Sequence, residues 1–412
     1  MELFLLGFRN VRRNKRRSIL NMTALIIAVF LMIMGVGWVQ GYSTYLYQAL
    51  IDFETGNIQV LPESYYGKAA RFPLDLTLSP YRELKEKTES LPGVEAAAGR
   101  IVTSLQMIIR GSSIRLVGRG IDPAAEKQVT VLDEYIAEGE YLDDQGGVLL
   151  GKPLAEKIGV TVGDFITMKA VDRDGGQNVT EARIKGLFDF GYPALDEEVL
   201  YADIATMSSL LSMKDGITKL IVALKPGYDE ETVIPEISAA FDELGIAADA
   251  RIWKDFAQTT VSAVQGDSAA FWMMLIILYV LIIIGILNSM SMTIQERTGE
   301  IATMRAIGMK KKEVFGLFLA EGLSIALLSS VFAVLLSIPA AYFLGSVGID
   351  ITRYMPDDLP IPFGERFYAD FRIWQYLASA GVAVITGVLG SLIPSFRAMK
   401  INTAQALEGK RF

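Results

Sequence analysis

The sequence predicts an α-helical membrane protein with four transmembrane helices, arranged as one plus three, and a large α+β extracytoplasmic domain between helices one and two. Two observations predict this architecture. Four stretches of about 20 mostly apolar residues are each long enough to cross a hydrocarbon core of roughly 30 Å. Basic residues outside these stretches are concentrated in three short segments, whereas the roughly 225 residues between the first two stretches are acidic.

The four candidate spans cover residues 18–39, 269–290, 314–345 and 375–396. The second is the clearest, because the run FWMMLIILYVLIIIGIL contains no charged residue. The first has the basic start of a signal peptide, but no A-x-A cleavage motif follows Gly37, so we expect an uncleaved span. The third is long and includes Glu321 and Pro339, which favours a tilted or kinked helix.

Charge predicts the orientation of these spans. Residues 1–17, the link 291–313 and the tail 397–412 together contain 15 basic and 5 acidic residues, a net charge of +10. Residues 42–268 contain 21 basic and 36 acidic residues, a net charge of −15. By the positive-inside rule, the three basic segments and both termini are cytoplasmic, while the acidic domain and the loop 346–374 lie outside.

Residues 40–268 show the pattern of an α+β domain. Strands are expected at 57–61, 100–109 and 113–118, from runs or alternations of apolar residues. Helices are expected at 79–91, where Pro80 occupies the first position, and at 230–244. The segment GGVLLGKPLAEKIGVTVGDFITMKAV predicts a strand, a short helix, a turn and a second strand. We expect two subdomains, with residues from about 125 to 215 inserted into the other.

Composition excludes several kinds of chemistry. The chain contains no cysteine and no histidine, so disulfides, thiol nucleophiles, Ser-His-Asp triads and the usual zinc and haem ligand sets are excluded. The acidic balance argues against binding to nucleic acid. The acidic doublets Asp143-Asp144 and Glu197-Glu198 are expected in solvated turns, and a carboxylate-pair enzyme is the less favoured interpretation. We therefore expect no catalytic residue, metal or cofactor in this chain.

One motif imitates a nucleotide-binding loop. Residues 146–152, GGVLLGK, match the phosphate-binding pattern G-x-x-x-x-G-K. Pro153 follows, however, at the position where such a loop needs a Ser or Thr hydroxyl for magnesium, and 148–150 predicts a strand. We expect these glycines to have a structural role and any ATP hydrolysis to take place in another chain.

The link between the second and third spans contains an amphipathic pattern. Apolar residues recur there at near-helical spacing: Ile294, Ile301, Met304 and Ile307. Charged residues point in other directions: Glu296, Arg297, Glu300 and Arg305. Gly308 is a natural helix end. A helix lying in the lipid interface is one interpretation, and a helix that docks onto a protein partner is the other.

The same link resembles a family signature. NSMSMTIQERTGEIATMRAIGMKKKEV is similar to the N-x-M-x-x-x-x-x-E-R-x-x-E-I-x-x-x-R-A-I-G pattern of FtsX/MacB-type ABC transporter permeases, which begins here at Asn288 and ends at Gly308. Three other stretches support the resemblance: RNVRRNKRRSIL, VLLGKPLAEKIGVTVGD and IPSFRAMKINTAQAL. The order of one span, a large domain and three spans also matches, so the resemblance covers essentially the whole chain.

The resemblance implies a type VII permease that works by mechanotransmission and carries no ATPase of its own. Two such permease chains pair with a dimer of ABC ATPase subunits, which bind the ATP and magnesium. The link 291–313 would be a coupling helix seated on the ATPase, and its coupling residues would be Glu296, Arg297, Glu300, Arg305 and Gly308. The first two spans would extend outward as a stalk and carry rigid-body movement to the outer domain.

Within the family, the plan of this chain is most similar to that of the LolC/LolE lipoprotein-releasing permeases. That likeness implies a multi-pass protein of the bacterial inner membrane that extracts lipoproteins, with a periplasmic chaperone and membrane lipids as further candidate partners. MacB-like efflux of another amphipathic substrate and FtsX-like regulation of a cell-wall hydrolase stay open as alternatives. The second permease chain is either a copy of this one or a paralogue.

Three groups of residues inside the spans are candidates for further roles. A cleft for acyl chains, between spans one and two of opposite protomers, is expected near Met34, Trp38, Phe271, Trp272 and Met274. Small residues predict close helix packing at Gly35, Gly37, Ala383, Gly387 and Ser391. Glu321 has three interpretations: an interfacial or partner-paired carboxylate, a helix-packing residue, or part of a proton or substrate path.

Overall fold

The computed structural model describes residues 15–143, 146–350 and 366–401, without the side chains of residues 15–17, 193, 194 and 350. These residues form two compact units. The helical unit comprises residues 15–44, 263–350 and 366–401, and the α+β unit comprises residues 45–143 and 146–262. Most of the expected N-terminal basic segment, Asp144, most of the expected loop 346–374, and the expected tail from residue 402 lie outside the described residues.

The first helix, α1 (Lys15–Leu50), runs directly into a π-helical turn, Ile51–Thr55. The elements that follow in the α+β unit are β1 (Ile58–Pro62), α2 (Tyr81–Glu89), β2 (Val94–Ile109), β3 (Ser112–Ile121), α3 (Pro123–Val129), β4 (Ile136–Gly139), β5 (Val148–Gly151), α4 (Lys152–Ile158), β6 (Phe165–Val171), β7 (Gln177–Phe188), α5 (Pro193–Asp196), β8 (Val199–Asp203), α6 (Ile204–Leu211), β9 (Lys219–Leu224), α7 (Glu230–Glu243), β10 (Ala248–Ile252) and α8 (Trp253–Phe256). The helical unit continues with α9 (Gln258–Glu296), α10 (Thr298–Ala306), α11 (Lys311–Ser346), β11 (Ile349–Asp350), β12 (Arg366–Phe367) and α12 (Ile373–Met399).

One part of the α+β unit is a four-stranded antiparallel sheet with the order β10-β1-β9-β2. With helices α2 and α7, these strands follow each other as β-α-β-β-α-β, a ferredoxin-like arrangement. The sheet and its two helices bury Ile58, Leu84, Leu220 and Phe241 in one apolar core. Amphipathic helices and alternating strands therefore close this core as their sequence patterns predict.

The second part is inserted between β2 and β9. Six strands pair in a closed ring, β2-β3-β8-β5-β7-β6 and back to β2. Strand β2 is 16 residues long and belongs to both parts: residues from Val94 to Arg100 pair with β9, and residues from Gln106 to Ile108 pair with β6. Strand β2 is therefore shared by the two parts, and the chain returns from α6 to β9.

Capping side chains and a glycine mark the ends of three helices in this unit. The carboxylate of Asp122 accepts a hydrogen bond from the amide of Ala125 at 3.2 Å, and Pro123 occupies the first turn of α3. Asp203 caps α6 in the same way, accepting from the amide of Thr206 at 2.9 Å. Helix α4 ends at Gly159, whose φ of 69° lies in the left-handed region that glycine adopts readily.

Four helices in the described residues are long and apolar enough to cross a membrane, and they contain the four expected spans. Residues 18–39 lie in α1, 269–290 in α9, 314–345 in α11 and 375–396 in α12. Helices α1 and α9 contain 36 and 39 residues, so each is more than 50 Å long at about 1.5 Å per residue. Each of them therefore exceeds the roughly 30 Å of a hydrocarbon core.

Small residues bring the helices of this unit close together. A Cβ built at Gly387 would lie 2.5 Å from the Cβ of Ala326, and one built at Gly322 would lie 2.5 Å from Ser391 Oγ, so α11 and α12 touch backbone to backbone. Added Cβ atoms at Gly35 and Gly37 would overlap the rings of Phe271 and Phe371. Ala383 is fully buried in an apolar cluster with Val29, Ile33 and Ala333.

Candidate coupling site

The link between α9 and α11 folds into a short, sharply turned segment, which we call the elbow (residues 296–312). Helix α9 continues to Glu296, so residues 291–296 extend the second span rather than belonging to a separate helix. Helix α10 occupies only Thr298–Ala306, and Gly308 reverses the chain with a φ of 116°. The carboxylate of Glu313 then accepts a hydrogen bond from the amide of Lys310 at 2.8 Å and caps α11.

Arg297 points into the helical unit rather than away from it. It is only 8% exposed, and its Nε donates to Glu300 Oε2 at 2.9 Å. Its Nη1 lies 3.5 Å from Glu321 Oε2 on α11, and its guanidinium stands 5.6 Å from the ring centre of Phe318. Glu321 is 2% exposed. Arg297 therefore joins the elbow to α11 by an ion pair within the chain. Of the three interpretations of Glu321, this geometry favours the paired carboxylate, with Arg297 as the residue that pairs with it.

A second arginine fastens the other end of α10. Arg305 Nη1 donates to the backbone carbonyl of Ile401, just beyond α12, at 2.6 Å. The inner face of α10 is apolar: Ile301 and Ala302 are fully buried, and Ile301 packs in a cluster with Ile294 and Phe318. Helix α10 is thus held by its apolar face and by one charged side chain at each end.

The outward surface of the elbow is different from the one that the sequence pattern predicts. Ile307 was expected on the apolar face with Ile301, but it is 82% exposed, the most exposed of the large apolar side chains in the described residues. Ile307 follows Ile301 by six residues, which places it about 120° away around a helix of 3.6 residues per turn, at the position where α10 ends. Glu296 and three lysines of the elbow are also exposed: Lys310, Lys311 and Lys312. The exposed part of the elbow therefore combines one large apolar side chain with a glutamate and three lysines that are near it in sequence.

The residues expected to form an acyl-chain cleft do not converge within one chain. Met34 packs beside Val29, Ile33 and Ala333, whereas Phe271 packs in another cluster against α1. The remaining three are partly exposed on the outside of the helices: Trp38 (39%), Trp272 (41%) and Met274 (58%). The ring of Trp38 lies 4.3 Å from that of Phe367.

The motif that imitates a phosphate loop has an ordinary structural role. Residues Val148–Gly151 form strand β5, and Lys152 Nζ pairs with Glu138 at 3.1 Å. A Cβ at Gly151 would overlap the backbone carbonyl of Asp196, which accounts for the glycine there.

The acidic doublets also behave as surface residues where they are described. Asp143 forms an ion pair with Lys185, and Glu197 pairs with Lys157 at 2.7 Å. Across the described ranges, no group of acidic side chains is arranged to hold a metal ion.

Comparison with known families assigns both parts of the chain. A family model described as the FtsX-like permease C-terminal domain matches residues 272–403. A second, described as the MacB-like periplasmic core domain, matches residues 18–240, which is more than half of the chain. The chain is an ABC transporter permease of the FtsX/MacB family. The first match contains the whole elbow and Glu321, and the second contains nearly all of α1 and of the α+β unit.

Individual relatives of the chain belong to two kinds of transporter. It is 23% identical to the lipoprotein-releasing system transmembrane protein LolC of Neisseria meningitidis, over 98% of both chains. It is 20% identical to the macrolide export ATP-binding/permease protein MacB of Psychrobacter cryohalolentis, over 99% of this chain and 59% of MacB. The crystal structure of the periplasmic region of MacB from Actinobacillus actinomycetemcomitans covers 51% of this chain and is itself 94% covered, with 10% identity and a TM-score of 0.38.

Proposed function

We propose that this permease couples ATP hydrolysis by a separate ABC ATPase to movement of its α+β unit, and thereby releases lipoproteins from the bacterial inner membrane. Two permease chains and two ATPase subunits would form the transporter, with both permease termini in the cytoplasm. The likeness to LolC over the full length of both chains supports this cargo, since the MacB relative carries a further part that this chain does not match. The net charge of +10 on the three basic segments supports the orientation.

The observation that carries the proposal is the exposed elbow. Ile307 is 82% exposed within the family signature, and a single apolar side chain can anchor a protein interface when it enters a pocket. The lysines that follow would pair with acidic residues at the rim of that pocket. The internal contacts of Arg297 and Arg305 hold the elbow firmly enough to transmit a push from the ATPase to α9 and α11.

The docking role is tested by Ile307→Asp in the full chain, co-expressed with its ATPase. Because Ile307 is exposed and outside α10, the variant should still insert into the membrane, while the amount of ATPase that co-purifies should fall about tenfold. Ile373→Asp is the matched control, since Ile373 is 80% exposed at the start of α12, away from the elbow in sequence. Equal recovery of ATPase with both variants would contradict docking through the elbow.

Reversal of Glu296 and Glu300 together should also weaken ATPase association or uncouple hydrolysis from transport. Its interpretation is less direct, because Glu300 also binds Arg297 inside the helical unit. Ile307→Asp therefore provides the sharper test of the same surface.

The cargo is tested with the permease and its ATPase in proteoliposomes that contain a lipoprotein. ATP-dependent transfer of the lipoprotein to a soluble carrier is expected. Retention of the lipoprotein, together with ATP-dependent export of a small amphiphile, would instead identify a MacB-like pump. ATP-dependent activation of a cell-wall hydrolase without any export would identify an FtsX-like regulator.

A further inference from the structure

Buried charges surround the π-helical turn Ile51–Thr55 that directly follows α1. Arg100 on β2 is 1% exposed, Arg119 on β3 is 7% exposed, and Glu126 on α3 is fully buried. All three belong to the α+β unit, as does the turn itself. We call Glu54, Arg100, Arg119 and Glu126 the arginine clamp.

The two arginines hold one residue of the turn by both its backbone and its side chain. Arg100 Nη1 donates to the backbone carbonyl of Glu54 at 2.5 Å, and Arg119 Nη2 donates to the Glu54 carboxylate at 2.8 Å. Each arginine is fixed in turn: Arg100 Nε donates to both carboxylate oxygens of Glu126 at 3.1 and 3.2 Å, and Arg119 Nη1 donates to the hydroxyl of Tyr201 at 3.1 Å. The planar guanidinium fork makes these contacts directional.

The same turn also packs against apolar residues of the inserted subdomain. Phe53 is 4% exposed, and its ring centre lies 4.7 Å from those of both Tyr135 and Phe190. The amide of Val131 donates to the carbonyl of Asp52 at 3.1 Å. The last residues of the first helical segment are therefore part of the core of this subdomain rather than a tether on its surface.

The two arginines and two glutamates of the clamp balance in charge, and a partly buried lysine lies beside them. Lys219 on β9 has its Nζ 3.4 Å from the side-chain oxygen of Gln59 and interacts with both Glu54 and Glu126. Burial, together with Arg119 and Arg100, lowers the pKa of Lys219 to about 7. Buried ion pairs are often no more stable than apolar packing of the same volume, because desolvation offsets the attraction, but their geometry is specific. Stability alone therefore does not account for this cluster.

We propose that Arg100 and Arg119 are positioning residues that form a rigid joint at Glu54, through which movement of the first span's helix is delivered to the inserted subdomain. This inference rests on the proposed function, in which the helix is the moving part. Apolar contacts at Phe53 alone are not directional and would let the turn rotate or slide. Arg100 bonds to the backbone carbonyl of Glu54 and Arg119 bonds to its carboxylate, and together they fix both the position and the angle of the turn.

The joint can be tested without cargo or ATPase, because a chain with no cysteine accepts spin labels only where a cysteine is introduced. Labels at Gln48→Cys and Glu181→Cys, both exposed in the α+β unit, report the position of the helix end relative to β7. In the full chain in lipid nanodiscs we expect one narrow distance distribution. Arg119→Met should widen it about twofold, and Arg119→Lys should restore much of the original width.

The matched control is Arg115→Met, which makes the same change at an exposed arginine on the same strand and should leave the distribution unchanged. Should Arg119→Met fail to fold, as judged by limited proteolysis, Glu54→Gln replaces it, because this change removes the carboxylate charge with little change in shape. An unchanged distribution in a folded Arg119→Met or Glu54→Gln chain overturns the joint.

A second readout separates a positioning role from a purely structural one. With ATPase and lipoprotein present, Arg119→Met should retain ATP hydrolysis within about twofold but release about tenfold less lipoprotein per ATP. Arg119→Lys should recover part of the release. A normal release per ATP in Arg119→Met would overturn the joint, whereas failure of the unaltered chain to release lipoprotein would overturn the proposed function and leave the distance result standing.

Discussion

A single methyl group added at Gly387 tests the close packing of α11 against α12. An ideal Cβ at this position lies 2.5 Å from the Cβ of Ala326 and 3.1 Å from the carbonyl oxygen of Gly322. Carbon atoms in contact usually stay about 3.5–4.0 Å apart, so the two helices would have to separate by about 1 Å along this face. Overpacking of this kind costs about 1–3 kcal/mol. We expect Gly387→Ala to lower the free energy of unfolding by that amount.

Gly381 on the same helix offers a control, because a methyl group added there should not lower the free energy of unfolding. Gly381 is exposed, and a Cβ built there meets no atom of the described residues within 4 Å. Gly381→Ala adds the same methyl group without a clash and should leave stability unchanged or raise it by up to about 1 kcal/mol through helix propensity. Unfolding of the full chain in mixed detergent, followed by circular dichroism, measures both variants. Equal unfolding midpoints for the two variants would refute the argument from packing.

Three further predictions concern charge and backbone contacts. Because burial and its arginine neighbours lower the pKa of Lys219 to about 7, the unfolded chain binds more protons than the native chain from about pH 7 to 10. Hydrogen exchange on the whole protein should show that the free energy of unfolding of the α+β unit increases as the pH rises from about 7 to 10. Lys219→Met should remove most of this increase. Glu321→Met and Arg297→Met should show a coupling of about 0.5–3 kcal/mol in a double-mutant cycle, since their side chains lie 3.5 Å apart; strict additivity would count against the ion pair. Gly151→Ala should make the inserted subdomain sensitive to protease, because its Cβ overlaps the carbonyl of Asp196, whereas Gly67→Ala, with open space around it, should not.

Local signals were sufficient for most elements of the α+β unit. The helix expected at 79–91 is Tyr81–Glu89, and the helix expected at 230–244 is Glu230–Glu243. The strand, helix, turn and strand expected in one segment are β5, α4, Gly159 and β6. Proline, glycine and apolar periodicity mark these boundaries because they act within a few residues along the chain.

The pairing of the strands depends on contacts that local patterns do not specify. Strands β3 and β8 pair in parallel although more than 70 residues separate them, and β5 and β7 are also parallel. The closed ring requires β2 to continue well past its partner β9. A period of two predicts a strand and its buried face, but it carries no information about which distant strand becomes the neighbour.

The elbow shows how a helical pattern can continue past the end of its helix. Ile307 fits the spacing set by Ile294, Ile301 and Met304, so periodicity groups it with the buried face. The amide of Ile307 still bonds to the carbonyl of Thr303, as in a helix, and the amides of Gly308 and Met309 then bond to the carbonyls of Arg305 and Met304 and end the helix. Ile307 follows Ile301 by six residues, about 120° around a helix, so the two side chains point in different directions although both belong to the family signature.

Charge counting describes whole segments, but it does not describe individual arginines. A net charge assigns every basic residue to a solvated surface, yet Arg297, Arg100 and Arg119 are all at least nine-tenths buried. Each lies beside the end of a helix much longer than a membrane span: Arg297 directly follows α9, and the other two hold the turn that follows α1. Buried ion pairs add little net stability, but they fix the direction of the groups they join. Under the proposed function, movement passes along such helices, so a fixed direction matters most at the helix ends, and the buried arginines are found at those ends.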